Sequence, residues 1–357
     1  MNILDRYIIK QYLTASLFIL GMIISIAVMI DLVERIDFFL DRKPPFNEII
    51  FDYYLNFIPF WADLLSPVCI FLGVIFFTSR MAGRSEVIPM LGAGVSFYRI
   101  FVPYLVCAVA LAGVSFYFKG YLIPRATEER VAFEYKYFKK KTIHRKRDIH
   151  KKVAPDTYVY IGFYNEKRKE GHTFNLEQTK GGDIIAKIEA KRILWVDSTE
   201  NWRLINARLR RMNGKKERMW STTELDTTFL LYPDDIFIRE EAEKTKTSEE
   251  LVEYIKLEEM RGSDILKALN IERHRRLSDP LAMIILTIIG YAMASRKSRG
   301  GIALQIGLGL FLCLLYVGLL FGSQAMVSQT FPAQRAVWVP NAIFLPIALF
   351  LMRVVPK

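Results

Sequence analysis

The sequence predicts a membrane α-helical fold: six transmembrane helices with an inserted, jelly-roll-like all-β domain on the outer side, periplasmic in a cell with two membranes. Three observations predict it. Hydrophobic residues make up 52% of the 357 positions, yet they concentrate at the two ends. Each end holds three apolar runs at or near the ~20 residues that cross a bilayer. The middle is polar, alternates in character and turns often, as short antiparallel strands do.

The spans cover about 12–30, 57–78, 100–118, 281–294, 302–325 and 337–352. The fourth is short, but Leu277 and the turn before it extend it, and Pro280 suits its first turn. The opening MNILDRYIIKQY carries Asp5, Arg6 and Lys10 and no small-residue cleavage site, so it reads as a retained first helix. Lys and Arg in short loops set orientation. Arg6 and Lys10, then Arg80, Arg84 and Arg99, then Arg296, Lys297 and Arg299, then Arg353 and Lys357 all fall on one side of six spans. That side is expected to be cytoplasmic, with both termini there. The net charge of +12 is therefore read as topology and lipid-headgroup charge, not nucleic-acid binding.

In the middle, YVYIGFY, DIIAKIEA, KRILWV, NWRLINARLRRM and ERMWS read as strands. Lys180-Gly181-Gly182, the stretch 197–201 and Asn213-Gly214-Lys215 separate them, the last a type I′ hairpin signal. Such strands suggest an antiparallel sandwich or jelly roll. Ser248 then looks like a helix N-cap and Gly262 a stop, and a second helix from Ser263 to Arg276 runs into the fourth span.

No catalytic constellation is apparent. His144, His150, His172 and His274 lack metal-ligand spacing, and GxSxG, HExxH and Walker A motifs are absent. Cys69, Cys107 and Cys313 each sit inside an apolar run, as packing residues do. No intramembrane cluster of His, Asp or Glu stands out, which argues against a membrane enzyme. No cofactor and no metal are expected, and any ATP hydrolysis would need a separate subunit.

Between the second and third spans lies GRSEVIPMLGAGVS. Ser85 could cap a short helix, with Glu86 in its first turn favoured by the dipole. Met90 and Leu91 would offer apolar contact, while Gly92 and Gly94 would allow close approach or termination. Pro89 argues for a short or kinked helix. A plain helix stop with a solvated glutamate fits the same residues.

Several stretches together resemble the lipopolysaccharide-export permease family, the LptF/LptG (YjgP/YjgQ) proteins. They are ILDRYI, the prolines Pro59 and Pro67, SEVIPMLGAGVS, RHRRLSDPLAM and SRGGIALQIGLG, in family order across the chain; ILDRYI is more LptG-like. The resemblance implies residues 1–124 as spans one to three, with a cytoplasmic coupling helix at about 84–96. It implies 125–262 as the periplasmic β domain and 263–357 as spans four to six. Ser85, Glu86, Met90, Leu91, Gly92 and Gly94 would then couple to an LptB-like ABC ATPase. An LptF-like second permease, LptC-like and LptA-like jelly-roll proteins and lipopolysaccharide are the other implied partners. Lipid phosphates call for arginine forks and lysines at the outer span ends. The candidates are Arg35, Arg42, Lys43, Lys119, Arg125, Arg273, Arg275 and Arg276. Gly307, Gly309, Gly318 and Gly322 in the fifth span suit close helix packing or a gate. Two other readings stay open: a membrane-anchored scaffold displaying a β domain, and an ABC permease for another lipidic cargo such as lipoprotein.

Overall fold

A computed structural model describes residues 3–138, 145–181, 183–213, 216–236, 243–261, 265–295, 301–328 and 330–354. The helices are α1 (Ile3–Arg42), α2 (Phe46–Glu48), α3 (Leu55–Gly83), α4 (Val87–Gly92), α5 (Phe97–Tyr117), α6 (Ile123–Tyr137), α7 (Pro233–Ile236), α8 (Ser248–Arg261), α9 (Leu266–Ala294), α10 (Gly301–Ala325) and α11 (Ala333–Val354). Strands β1 (Arg145–Ala154), β2 (Thr157–Asn165), β3 (Glu170–Lys180), β4 (Asp183–Val196), β5 (Asn201–Asn213) and β6 (Lys216–Thr227) lie between α6 and α7. Six helical segments are long and apolar enough to cross a membrane: Ile3–Arg42, Phe46–Gly83, Phe97–Tyr137, Leu266–Ala294, Ala303–Ala325 and Ala333–Val354. The protein is thus a six-span membrane helical protein with an inserted all-β sheet.

The helices outrun the apolar runs that revealed them, because hydropathy marks only the part that lipid demands. Two π-helical stretches, Ile49–Tyr54 and Phe118–Leu122, join α2 to α3 and α5 to α6 without a break. The side-chain amide of Asn56 donates to the Phe51 and Asp52 carbonyls, 3.1 and 3.0 Å away, where the pitch changes. Pro280 does not open the fourth span. It lies inside the continuous α9, where it removes the hydrogen bond to the Arg276 carbonyl. His144, Gly262, Ser263, Arg296, Lys297, Arg299 and Lys357 lie outside the described residues.

Contacts divide the chain into two units. The first, residues 1–133, 244–248 and 270–357, holds the spans. Its core joins Ile8, Tyr12, Val74, Ile100, Tyr104 and Tyr291 from α1, α3, α5 and α9. A second cluster joins Phe71, Ile75, Leu286, Ile289, Cys313 and Phe344 from α3, α9, α10 and α11. Glycine sets the closest approach: a Cβ on Gly73 would meet the backbone of Ser16 at 2.8 Å, so α3 presses on α1 there.

The second unit, residues 134–243 and 249–269, holds the sheet. Its six strands pair antiparallel in chain order, a meander with β1 and β6 at the edges. β1 and β3 escape the strand reading because RKRDIHKKVA and EGHTFNLEQTK are too polar to alternate visibly, while DIIAKIEA and KRILWV form one strand. Asn213 pairs with Lys216, closing the expected hairpin through 214–215, which lie outside the described residues along with Gly182. The inner face buries Ile161, Phe174, Ile193, Trp202 and Leu204.

The ladder lapses at the same level on every strand. Asp148, Gly162, Thr173, Lys191, Asn206 and Thr223 have no Cα partner, although their neighbours pair in register. Asp148, Thr173 and Asn206, on alternate strands, take left-handed φ values of 52°, 56° and 54°. One residue of that hand bends a strand, and three in line crease the sheet.

Candidate functional site

The stretch 83–96 is two helix stops around a helix of a turn and a half. At the end of α3, Ser85 N–H bonds the Ala82 carbonyl and Glu86 N–H bonds the Met81 carbonyl, both at 3.0 Å. That is a Schellman closure, and Ser85, at φ +61°, occupies the left-handed position that glycine usually takes. Ser85 therefore closes α3 and does not cap α4. Pro89 falls in the first turn of α4, where no intrahelical N–H bond is lost, so the helix is short rather than kinked. Gly94, φ +84°, repeats the closure: its N–H bonds Leu91 and that of Val95 bonds Met90, at 3.0 and 3.1 Å. Ser96 then caps α5, accepting from the Arg99 N–H at 3.2 Å.

Both closures hold α4 against its own bundle. Val87 is part of the bundle core and Met90 and Leu91 pack, partly buried, against that core, so they are not free contacts. Ile88, 63% exposed, is the apolar side chain that α4 presents, with Pro89 exposed beside it. The Glu86 carboxylate accepts from the Tyr7 hydroxyl at 3.1 Å and lies 3.9 Å from Arg84, which ties this element to α1. Beside it, Arg99 forks onto Asp5 at 2.7 and 2.8 Å. The Tyr98 hydroxyl reaches the Met352 carbonyl at 3.5 Å, so the start of α1, the 83–96 element and the end of α11 share one end of the unit.

Elsewhere in the spans, the structure assembles an ion cluster that the sequence reading missed. Lys119, in the π-helical stretch after α5, lies 2.8 Å from Asp63 of α3 and 2.6 Å from Asp279 of α9. The Ser115 hydroxyl donates to Asp63 at 2.7 Å, and Arg275 approaches Asp279 at 3.5 Å. Two acids face two bases, with Lys119, Asp63 and Asp279 each about 10% exposed. The expectation that the spans hold no acidic cluster is thereby corrected. Asp63 is the lone ionisable residue of its apolar run, and such a residue needs a partner. Asp279 escaped notice and Lys119 was read as a lipid contact because both sit just beyond the runs read as spans.

The cluster absorbs part of the expected lipid-contact set. Lys119 and Arg275 belong to it. Arg276 is buried, bonded to the Ser248 hydroxyl at 3.1 Å and the Lys246 carbonyl at 2.7 Å. Ser248 opens α8, and its hydroxyl is taken up by this contact. Arg35 pairs with Asp31 at 2.9 Å and lies over the Tyr53 ring. Arg42, Lys43, Arg125 and Arg273 are exposed and without an internal ion pair among the described residues. In the sheet, a hydrogen bond from Arg203 holds the Asp226 carboxyl below its ordinary range.

The glycines divide in the same way. A side chain on Gly309 would run into Ile75, so Gly309 serves packing within the chain. Gly307, Gly318 and Gly322 face open space within 4 Å, as does Gly92. The apolar window of α1 is 6% buried, that of α10 22% and that of α9 72%, so the first and fifth spans offer lipid or a partner most of their surface.

Six spans, an inserted meander sheet and a braced element between the second and third spans define a polytopic membrane protein with an inserted all-β domain. The family described as lipopolysaccharide export system permease LptF/LptG matches residues 6–354, and the chain belongs to that family. The match does not separate the LptF branch from the LptG branch. No curated relative matches the chain. Membership makes it a multi-pass inner-membrane protein with a permease role in lipopolysaccharide export, a component of the Lpt complex and of an ABC transporter rather than an enzyme itself.

Proposed function

We propose that the chain is one permease of an ATP-driven transporter that extracts lipopolysaccharide from the outer leaflet and passes it to a periplasmic β-jelly-roll bridge. The single observation that carries the mechanism is α4: Schellman closures at both ends brace it, Ile88 is exposed, and Glu86 is tied to Tyr7 of α1. In this reading the end bearing α4 is cytoplasmic and the sheet is periplasmic. An LptB-like ATPase docks on Ile88 and Pro89, and its closure moves α1 through the Glu86–Tyr7 contact. A second permease faces α1 and α10 across the uncovered surfaces and the open glycines Gly307, Gly318 and Gly322. Lipid phosphates meet Arg42, Lys43, Arg125 and Arg273, since the other four candidates are held by the protein itself. LptC-like and LptA-like proteins add strands to an edge of the sheet.

The test is co-purification of the ATPase with the tagged permease pair. Ile88→Asp and Glu86→Lys are expected to lose the ATPase, while Arg6→Gln, outside the element, retains it. Full ATPase recovery with Ile88→Asp would sink the docking assignment.

A further inference from the structure

At the end of the first unit that carries Asp5 and Arg99, a cavity of about 250 Å³ opens between α1 and α3. Tyr7, Gln11, Phe18, Phe76, Arg80 and Arg84 line it. Its walls divide by chemistry. Arg80, Arg84 and Gln11 supply donors at one part, and the rings of Phe18 and Phe76, 70% and 42% exposed, form an apolar flank. Arg80 has no ion-pair partner among the described residues. Arg84 reaches only Glu86, at 3.9 Å, and is itself 57% exposed. Glu86 also borders the cavity, so the site carries two cations against one anion.

We propose that this cavity binds the phosphate-bearing headgroup of an anionic glycerophospholipid, with Arg80 and Arg84 on the phosphate and Phe18 and Phe76 against the first part of the acyl chains. Guanidinium forks match phosphate oxygens in geometry and charge. Both arginines end a spanning helix, which is the depth at which headgroups lie. The aromatic flank distinguishes a tethered headgroup from a free anion, because inorganic phosphate has nothing to place there. The excess positive charge favours an anionic lipid over a zwitterionic one. A bound phosphate competes with Glu86 for Arg84 and lies beside the Tyr7 that holds Glu86, so occupancy acts on the brace of α4. The inference does not rest on the transport reading; it stands on the cavity alone.

The full chain, purified in a mild detergent, is tested by native mass spectrometry and thermal unfolding with phosphatidylglycerol, phosphatidylcholine or sodium phosphate. Phosphatidylglycerol is expected to be retained and to raise the melting temperature, and phosphatidylcholine and phosphate are not. Arg80→Gln and Arg84→Gln each weaken retention by roughly tenfold, the worth of one hydrogen bond to a charged group. Arg6→Gln, at the same end but outside the cavity, leaves it unchanged. Equal retention of both lipids overturns the site. So does an equal loss with Arg6→Gln, which would mean diffuse surface charge. Inorganic phosphate matching phosphatidylglycerol would overturn the lipid assignment in favour of a free-anion pocket. Should a glutamine variant fail to fold, the comparison of the three ligands on the unaltered chain still decides.

Discussion

Lys119 shows how a charge can be buried. Its ammonium sits between Asp63 and Asp279, and Ser115 satisfies a further oxygen of Asp63. Taking one partner from such a group leaves an uncompensated buried charge, which costs about 3–5 kcal/mol. Lys119→Met should therefore lower thermal stability in detergent sharply, because two carboxylates then face each other. Adding Asp279→Asn should recover part of the loss, as coupled neighbours do. A single methionine variant as stable as the unaltered chain would show that the cluster holds nothing together. Ser85 makes the complementary point. Its residue type suggested a helix cap, yet its backbone conformation is what the chain uses. Only the direction of the chain after Gly83 reveals that.

At the level of elements, the creased sheet is the feature with the clearest physical origin. Left-handed φ at Asp148, Thr173 and Asn206 costs an L-residue roughly 1–2 kcal/mol each unless it is Gly, Asn or Asp. Asp148 and Asn206 are the types that tolerate it, and Thr173 is not. Substituting Asn206→Val puts a β-branched residue at that hand. Amide exchange in β4, β5 and β6 should speed up about tenfold for each ~1.4 kcal/mol of added strain. Unchanged exchange would mean that Asn206 does not set the bend. The helix α4 is the other informative element. Its six residues are too few to be stable alone. The closures around it and the packing of Met90 and Leu91 on the bundle provide the stability that its length cannot.

At the level of the whole molecule, the uneven covering of the spans carries the argument. α9 is an interior helix, whereas α1 and α10 remain largely bare. Lipid can cover bare apolar helices as readily as protein can, so bareness alone does not name a partner. The open glycines sharpen the expectation. Gly318→Leu should leave the stability of the isolated chain unchanged, because nothing lies within 4 Å of its Cβ position, and should weaken co-purification of the second permease. Gly73→Ala should act in the opposite way. Its Cβ would meet the Ser16 backbone, and overpacking of that kind costs about 1–3 kcal/mol within the chain. If Gly318→Leu destabilised the isolated chain and left the complex intact, α10 would not be the contact face.

The residues by themselves determined the number of spans, the strand-rich insert and the family. Those properties follow from hydropathy over ~20 residues, from two-residue alternation and from motif order, all of which are local along the chain. They also marked 83–96 as unusual, because Glu86, Pro89 and Gly94 break an apolar pattern. Tertiary structure alone decided which basic residues remain available. Lys119, Arg275 and Arg276 look the same in the sequence as Arg42, Lys43 and Arg125, but their partners lie 28 to 160 positions away or on a neighbouring turn of α9. Charge pairing in the spans and the aim of each α4 side chain depend on which helix faces which. Packing sets that, and it has no period that a sequence can display.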